Sequence, residues 1–557
     1  WPGRPLRIRE GGSGFALRIG PDRGERTNRA AKEQGYTLRI DGMSVQIEAE
    51  SAAGLFYGIH TFAQILDNHD RVPALEIRDW PDTAMRCMHF DFRQTFSRKE
   101  RLLDAIAAFA RYKVNGLLIE YEDKFPFRNY AELTHPDYAF TVEELERMQR
   151  TAYDHFIEVI PLQQTFGHLE YVLRREPYKR LREQEDSTGE ICPSKPESYA
   201  LVTGLLREMI ELHPQSRYIH LGCDEVYRLC VCPDCRAAYG GSKERTFIDF
   251  LNRLIAFTAD HGKIPIFWHD MLDQCPVEEL AKLDPRARVM IWLYNGRNID
   301  EDATRLAQKF RAAGVEVMGA PAVRCWDERD DQNYPNLPNR IDNIRQWVQT
   351  AERNELACLV GTNWTGAFSL GVPYGLFETT WYPMLFLADL SWNRRGNAQV
   401  EKGTATVEAG AGEAFIDRFL VEFHGVEPAL ARAAQGNYRD EDYYAFIWKL
   451  ADAVGRNRDI AEWLRLMREY EVAVDKSRTI HKYIYRLALF PGDEAERRSL
   501  LNNYRRTFGI LDRIRPLIKE LLLRFQPEPM ADHYVMSRYY LHDFLERHLY
   551  QPAGLHR

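Results

Sequence analysis

Two neighbouring carboxylates, Asp224 and Glu225, are the residues of this sequence best suited to chemistry. They follow a short, mostly apolar run at residues 218–221, which predicts a buried strand, and Gly222 allows the backbone to turn before the acids. Polar residues at the carboxyl ends of buried strands form the active sites of many α/β folds. The pair is therefore the first candidate for a catalytic site.

Three interpretations of the acid pair compete. An apolar strand ending in Asp-Glu resembles a Mg²⁺-holding Walker B element, but the chain has no Gly-x₄-Gly-Lys-Ser/Thr loop, which argues against nucleotide binding. The pair could instead cap the next helix. In the third interpretation, adjacent acids serve a substrate whose own 2-acetamido oxygen attacks the anomeric carbon, whereas ordinary glycosidases place carboxylates on both sides of the bond. Glu225 would then protonate the leaving oxygen, and Asp224 would bind the acetamido nitrogen.

Polar and aromatic residues also follow the other predicted strands. Each has an ordinary structural explanation, such as a surface ion pair, a satisfied histidine or a core tryptophan. Together they suit a polyhydroxylated ring, because Arg and carboxylates bind hydroxyls and a Trp face packs against a sugar. These candidates are Arg93, Glu120, His168, Trp268, Asp270, Tyr294 and Trp364.

Three cysteines, Cys230, Cys232 and Cys235, lie just beyond the acid pair with metal-like spacing. A tetrahedral structural site needs a fourth ligand, which Cys223 or a distant histidine would have to supply. Packed or redox-paired thiols are the favoured interpretation. We therefore expect no metal and no cofactor, with a structural zinc site at these cysteines as the alternative.

Eight short apolar strands alternate with amphipathic helical stretches between residues 81 and 395. This pattern predicts a (β/α)₈ barrel, with an open doubly wound sheet as the alternative. In a barrel, the polar strand ends would all converge on one mouth. The strands are centred on residues 88–90, 117–119, 159–162, 219–221, 265–268, 290–293, 315–318 and 359–361.

Two smaller regions flank the predicted barrel. Residues 1–80 read as an α+β domain, because a hairpin pattern surrounds Asp41-Gly42 and helical spacing follows over residues 52–66. Residues 396–557 show helical spacing and no strand pattern, so they predict an α-helical domain. The predicted domains are therefore 1–80, 81–395 and 396–557.

Composition limits the partners and the compartment. The net charge of −8 argues against nucleic acid or an anionic membrane as partner, and no apolar run is long enough to span a membrane. The chain has nine cysteines, an odd number, and six of them are scattered, which suits reduced thiols in a cytoplasmic protein. The chain begins at Trp1 instead of Met, which is compatible with a trimmed leader. The oligomeric state is not predicted.

Several segments together resemble glycoside hydrolase family 20, the β-N-acetylhexosaminidases, and in particular its hexosaminidase D branch and related bacterial enzymes. The segments in the predicted barrel are GLLIEYEDKFP at 116–126, QTFGHLE at 164–170, HLGCDEVY at 220–227, WHDM at 268–271 and WLY at 292–294. GYTL at 35–38 and GLFYG at 54–58 resemble that family's N-terminal domain.

The resemblance implies an exo-acting, retaining hydrolase of terminal GlcNAc or GalNAc that works through the 2-acetamido group. Asp224 would orient this group, Glu225 would act as general acid and base, and Tyr294 would hydrogen-bond the acetamido oxygen. The other candidates would form the pocket walls, hold hydroxyls or support the acids: Trp268, Trp364, Arg93, His168, Asp270 and Glu120.

The chain departs from the family pattern at two positions. Many members follow the last barrel strand with Trp-Gly-Glu, whose Glu binds the 4- and 6-hydroxyls, whereas this chain has Trp364-Thr365-Gly366. Many members also have Gly where this chain has Cys223. Recognition of the 4- and 6-hydroxyls is therefore open.

Overall fold

The structure, a computed structural model, describes a chain of three packed regions. The described residues are 14–20, 29–41, 44–68, 72, 74–94, 97–327, 332–366, 372–394, 399–402, 405–408, 415–434, 439–489 and 494–547.

The N-terminal region is a sheet covered by one long helix. Its strands β2 and β3 pair antiparallel, with Asp41 opposite Ser44, so the predicted hairpin is confirmed, although its turn at 42–43 lies outside the described residues. The elements are β1 Phe15–Ile19, α1 Arg29–Gln34, β2 Tyr36–Asp41, β3 Ser44–Ala49, α2 Ala52–Asn68 and β4 Leu75–Asp79.

Eight parallel strands form a closed barrel, which confirms the predicted fold. Closure is set by β11 and β13, which pair through Gly319 and Leu359, so the open-sheet alternative is wrong. A short extra strand, β12, continues beyond β11 and pairs with β13. The strands are β5 Met85–Asp91, β6 Gly116–Glu120, β7 Glu158–Leu162, β8 Tyr218–His220, β9 Ile264–Trp268, β10 Arg288–Trp292, β11 Glu316–Ala320, β12 Ala322–Arg324 and β13 Cys358–Asn363.

Helices cover the outside of the barrel; most of the longer ones are amphipathic, whereas the last, α12 at Trp381–Trp392, is buried on nearly all sides. They run α3 Lys99–Arg111, α4 Val142–Asp154, α5 Glu170–Leu173, α6 Pro196–Leu212, α7 Pro233–Tyr239, α8 Lys243–Asp260, α9 Val277–Leu280, α10 Ile299–Ala312, α11 Leu337–Arg353 and α12 Trp381–Trp392. Short 3₁₀ turns lie at Glu122–Lys124, Ala131–Leu133, Glu176–Leu181, Asp270–Leu272 and Phe377–Thr380.

The barrel interior is packed with apolar side chains in the layer near its amino end. Alternate strand residues point inward, and a compact apolar cluster that includes Leu118, Ile160, Ile266, Met290 and Val360 fills the lower barrel. Above it the inward positions become polar, so the carboxyl end of the barrel is the place for a polar site.

The region after the barrel is not purely helical, and the prediction that strand structure ends near Arg395 is wrong. Two short strands, β14 Gln399–Lys402 and β15 Ala405–Glu408, pair with each other, and β14 adds antiparallel to β4. Four-residue strands carry too little alternation to be seen in the sequence. The chain thus returns to extend the N-terminal sheet.

The remaining elements confirm the predicted helical region. The expected helices over 460–472 and 477–489 are one continuous helix, because no breaker separates them. The helices are α13 Phe415–Glu422, α14 Pro428–Ala434, α15 Tyr443–Leu450, α16 Arg458–Leu489, α17 Glu494–Leu522 and α18 Glu528–Leu545, with 3₁₀ turns at Asp440–Asp442 and Ala451–Ala453. Among the described helices, none combines the length and apolar character needed to cross a membrane.

Candidate active site

The acid pair sits on a sharp backbone turn directly after β8. Gly222, Cys223 and Glu225 have φ angles of 67°, 71° and 53°, a left-handed conformation that is unfavourable for residues with a Cβ. Gly222 is also needed sterically, because a Cβ there would lie 1.9 Å from Gln164 Oε1. The turn therefore holds strained residues where the sequence predicted catalysis.

His168 joins the two acids. Its Nε2 lies 3.3 Å from Asp224 Oδ2 and 3.3 Å from Glu225 Oε2. His168 itself has a left-handed φ of 50°, and it lies in the connection between β7 and α6. Gly167 lets this connection approach closely, since a Cβ there would lie 2.4 Å from the Asp224 carbonyl oxygen.

His168 and Asp224 stabilise each other's charged form. Burial alone would lower the pKa of His168, but the two facing acids outweigh it and hold this pKa well above its usual value. Burial alone would raise the pKa of Asp224, but His168 and Arg93 lower it. The arrangement therefore favours a cationic His168 beside an ionised Asp224.

Asp270 holds the backbone of Glu225 through a hydrogen bond. Its Oδ2 accepts a hydrogen bond from the Glu225 backbone N–H at 2.8 Å, and its Oδ1 accepts from Trp292 Nε1 at 3.3 Å. Burial, together with the negative charge of Asp224, raises the pKa of Asp270 to about 7. Asp270 thus fixes the strained turn and one aromatic wall of the site.

A pocket of about 340 Å³ opens in front of the acid pair. Its described lining combines the pair with Arg93, aromatic rings and small polar groups. The lining residues are Arg93, His168, Asp224, Glu225, Trp292, Leu293, Tyr294, Asn295, Cys325, Trp326, Trp364, Gly366 and Tyr374.

Tyr294 forms one wall of the pocket. Its ring stacks on Trp292 at 5.0 Å, and its hydroxyl oxygen accepts a hydrogen bond from Trp364 Nε1 at 3.1 Å. Desolvation by the surrounding walls keeps the pKa of Tyr294 above its usual value. The hydroxyl is therefore protonated and can donate to an acceptor in the pocket.

Arg93 lies against the ring of Trp364. Its Cζ is 4.7 Å from the Trp364 ring centroid, and its Nε is 3.0 Å from Asp91 Oδ1. Burial alone would raise the pKa of Asp91, but Arg93 lowers it to about 2. The ion pair with Asp91 orients Arg93 toward the pocket.

Sequence comparison identifies the family of this chain. Residues 84–358 match the model of glycosyl hydrolase family 20, catalytic domain, and residues 8–80 match the model of glycosyl hydrolase family 20, domain 2. Hexosaminidase D of Bos taurus is 30% identical over 279 residues, which cover 48% of this chain and 79% of that protein. The chain belongs to glycoside hydrolase family 20. It is therefore a glycoside hydrolase of the β-hexosaminidase family.

Two further comparisons agree with this family 20 assignment. Hexosaminidase D of Homo sapiens is 30% identical over 289 residues, and the match spans 51% of this chain but 60% of the human protein. The crystal structure of β-N-acetylhexosaminidase from Bacteroides fragilis superposes with a TM-score of 0.54 at 19% identity, over 68% of this chain and 79% of that one. The latter likeness shows the fold.

Two of the predicted site residues lie behind the pocket wall of this family 20 enzyme. Trp268 is fully buried, 4.3 Å from His220 and 6.2 Å from Trp364 between ring centroids. Glu120 is also buried, where its Oε1 accepts from Gln164 Nε2 at 3.1 Å. Together with Asp270, these residues surround the pocket lining without belonging to it, whereas the other six candidates line the pocket.

Further aromatic and polar residues that the sequence does not mark as site residues also line the pocket, among them Trp292, Asn295, Trp326 and Tyr374. Trp292 ends the strand β10. Trp326 is 50% exposed. It follows the extra strand β12 and therefore lies beyond the predicted end of the seventh barrel strand. Tyr374 follows the barrel by eleven residues, and no local pattern points to it.

The departure from the family Trp-Gly-Glu pattern has a steric explanation. Gly366 lines the pocket, and a Cβ at this position would lie 2.6 Å from Gln94 Cγ. The preceding Thr365 points to Asp91, donating from its N–H at 2.9 Å and from its hydroxyl at 3.0 Å. A glutamate at 366 would therefore need Gln94 to move.

The predicted cysteine set is wrong in its membership. Cys232 and Cys235 do lie close together. The other two groups beside them are Cys192 and Glu183 from the β7–α6 connection. Cys230 instead directs its thiol to the Cys235 carbonyl oxygen at 3.5 Å. Cys223 is buried beside Thr165, at 3.2 Å from the threonine hydroxyl. Cys192 and Glu183 lie 40 and 49 residues upstream of Cys232, so local spacing could not reveal them.

Proposed function

We propose that this family 20 enzyme is an exo-acting, retaining β-N-acetylhexosaminidase that removes terminal GlcNAc or GalNAc from a glycan, glycolipid or glycoprotein. One observation carries the proposal: of the described residues that line the pocket, Asp224 and Glu225 are the acids, and both face His168. Ordinary glycosidases need a second carboxylate across the bond, about 5–10 Å from the first. No second carboxylate is needed when the nucleophile is the acetamido oxygen of the substrate itself.

Glu225 would act as the general acid. It is the more exposed of the two carboxylates, with 27% of its side chain accessible against 8% for Asp224, so it can reach the glycosidic oxygen. Its proton passes to this oxygen while the acetamido oxygen attacks C1 and the glycosidic bond breaks. The product of this step is an oxazolinium ring and a free alcohol.

Asp224 would stabilise the positive charge of that ring. Its Oδ1 is buried and has no hydrogen-bond partner within the described part of the chain, although buried carboxylate oxygens normally have one. The acetamido N–H is a suitable donor for this oxygen. Tyr294 would donate to the acetamido oxygen and align it for attack.

In the second half of the reaction, Glu225 changes from acid to base. Glu225, now ionised, would take a proton from a water molecule that attacks C1 and opens the oxazolinium ring. Two inversions at C1 give net retention. Arg93 and Trp364 would bind the hydroxyls and one face of the ring, and a pocket closed in this way suits the end of a glycan chain.

Hydrolysis of aryl β-N-acetylglucosaminide and aryl β-N-acetylgalactosaminide by wild type and by Asp224→Asn and Glu225→Gln tests the proposal. We expect each substitution to lower kcat by about 10²- to 10⁴-fold, whereas Asp260→Asn, a change at a 70% exposed side chain, leaves it unchanged. An oxazoline-mimicking thiazoline should inhibit, and NMR should show the β-anomer as first product. Full activity in both acid variants would overturn the proposal.

Other outcomes would identify the remaining alternatives. Sugar binding without turnover at any pH would indicate a non-catalytic sugar-binding protein. Preference for a glycosylated peptide, or for internal bonds, over chitobiose would indicate an O-GlcNAc-removing or endo-acting hydrolase. A cytoplasmic location stays a prediction, which fractionation of the source cells would test.

A further inference from the structure

Three thiols and one carboxylate converge beside the active site. Cys192 Sγ lies 3.5 Å from Cys232 Sγ and 3.5 Å from Cys235 Sγ. Glu183 Oε2 lies 3.2 Å from Cys235 Sγ. The four ligand atoms all lie within 4.8 Å of one another, and Cys192, Cys235 and Glu183 are buried.

This geometry fits a metal ion better than a disulfide. A disulfide joins two sulfurs at about 2.05 Å, so it would use two of the thiols and leave the third buried beside it. Four ligands around Zn²⁺ with Zn–S bonds of about 2.3 Å place their sulfurs about 3.8 Å apart, close to the spacing found. Thiolate ligands also favour zinc over magnesium or calcium.

Surrounding hydrogen bonds orient two of the four groups, Glu183 and Cys235. Glu183 Oε1 accepts from the backbone N–H groups of Val231 and Cys232 at 2.7 and 2.9 Å, so Oε2 is the oxygen that faces the thiols. The Ser194 hydroxyl lies 3.0 Å from Cys235 Sγ. Support of this kind around the ligands is typical of metal sites.

We propose that Glu183, Cys192, Cys232 and Cys235 bind one structural Zn²⁺. The four protein ligands complete a tetrahedral coordination sphere, so the ion would have no open position for catalysis. This proposal replaces the expectation of packed thiols without metal, and it does not depend on the proposed glycosidase mechanism.

The ion would join two connections that both carry active-site residues. Glu183 and Cys192 belong to the β7–α6 connection, which begins near His168, whereas Cys232 and Cys235 follow Glu225 by a few residues. A hollow between these connections is lined by His168, Glu190, Glu225 and other residues. Zinc would therefore hold the two sides of this hollow at a fixed separation.

Metal analysis of the full chain, purified without chelators and without a polyhistidine tag, tests the site. We expect one zinc per chain, retained after desalting. Cys192→Ser and Cys235→Ser should each lose it, and Cys230→Ser, in the same segment but outside the ligand set, should keep it. Replacement of zinc by Co²⁺ should produce thiolate charge-transfer bands in wild type that are lost in Cys192→Ser.

A second measurement keeps the test valid if the serine variants do not fold. Wild-type protein is titrated with an organomercurial in the presence of a metallochromic indicator, and zinc should be released in step with modification of these three thiols. Protein without zinc after incubation with Zn²⁺, or a disulfide that joins Cys192 to Cys232 or Cys235, would overturn the proposal. Neither readout depends on hydrolytic activity.

Discussion

At the scale of single residues, His168 contacts both acids and stabilises the ionised form of Asp224. It contacts Asp224 and Glu225, and Arg93 is the nearby cation that opposes its protonation. Because its pKa is raised in the folded state, its contribution to the free energy of unfolding is complete below the usual histidine pKa of about 6.5 and is lost as pH rises through the folded-state value. The Asp224 pKa is lowered, so the Asp224 contribution is lost as pH falls instead.

We expect His168→Gln to destabilise the protein more at mildly acidic than at alkaline pH. At about pH 6 the loss should be about 3 kcal/mol, since breaking a buried ion pair leaves a charge without compensation. At alkaline pH the loss should be smaller, because the contribution of His168 disappears as the pH rises through its raised pKa. Urea unfolding at both pH values measures the difference. Equal destabilisation at the two pH values would contradict the assignment of a cationic His168.

Cys223 is a second residue whose role follows from its backbone. With φ at 71°, it occupies a conformation that glycine adopts without cost and β-branched residues adopt poorly. We expect Cys223→Gly to keep kcat/KM near the wild-type value. Cys223→Val should lower the free energy of unfolding by about 1–3 kcal/mol and reduce activity.

Chemical denaturation and steady-state kinetics on both Cys223 variants provide the measurement. Loss of activity in Cys223→Gly with unchanged stability would mean that the thiol itself, beside Thr165, has a function that backbone geometry does not explain.

At the scale of elements, α18 supports the loops that follow β12 and β13. Arg538 on this helix is 6% exposed and donates to the carbonyl oxygens of Gln332 and Pro373 at 3.0 and 2.9 Å. Its Nε also donates to Asn333 Oδ1 at 3.0 Å. The carbonyl contacts lie close in sequence to Trp326 and Tyr374, which line the pocket. A helix far along the chain thus positions pocket residues.

We expect Arg538→Ala to lower kcat/KM by about 10-fold, because unpaired buried carbonyls cost about 1–3 kcal/mol and the two loops would shift. KM should rise more than kcat falls, since the acid pair is untouched. Arg515→Ala is the matched control. Arg515 lies on α17, and its replacement breaks a partly exposed ion pair with Asp543 on α18. Kinetics equal to wild type in Arg538→Ala would show that α18 only covers the barrel.

At the scale of the whole molecule, Asp79 joins the N-terminal sheet to the barrel. Its Oδ2 accepts hydrogen bonds from Tyr36, Lys113 and Trp392 at 2.6, 3.1 and 2.8 Å. These partners come from the N-terminal sheet, the segment after α3 and the end of α12. Burial lowers the pKa of Lys113 despite the neighbouring Asp79, so removal of the carboxylate would leave a buried cation without its partner.

We therefore expect Asp79→Ala to destabilise the protein by about 3–5 kcal/mol and to expose the N-terminal region to limited proteolysis before the barrel. Glu76→Ala, which removes surface ion pairs on the same strand, should change stability by less than about 1 kcal/mol. Thermal unfolding measures the change in stability. Mass spectrometry of the first fragments released by limited proteolysis shows which region is cleaved first. Simultaneous cleavage of all regions in Asp79→Ala would contradict a separable N-terminal unit.

The sequence by itself determined the barrel and the centre of the site. The barrel strands are buried, apolar runs separated by amphipathic helices, so local composition encodes them, as at residues 117–119 and 159–162. The adjacency of Asp224 and Glu225 after Gly222 is likewise a local property. Since the strands of a barrel end at one mouth, the candidates Arg93, His168, Tyr294 and Trp364 could be assembled without coordinates.

Tertiary structure alone decided which distant segments complete the site. Cys192 and Glu183 meet Cys232 and Cys235 across two connections. Arg538 reaches loops that lie 206 and 165 residues upstream, and β14 returns to β4. Each of these pairings depends on how elements pack in space, and neither periodicity nor motif spacing records packing between remote segments. Local physical chemistry therefore fixed the strands and the acids, whereas long-range packing fixed their surroundings.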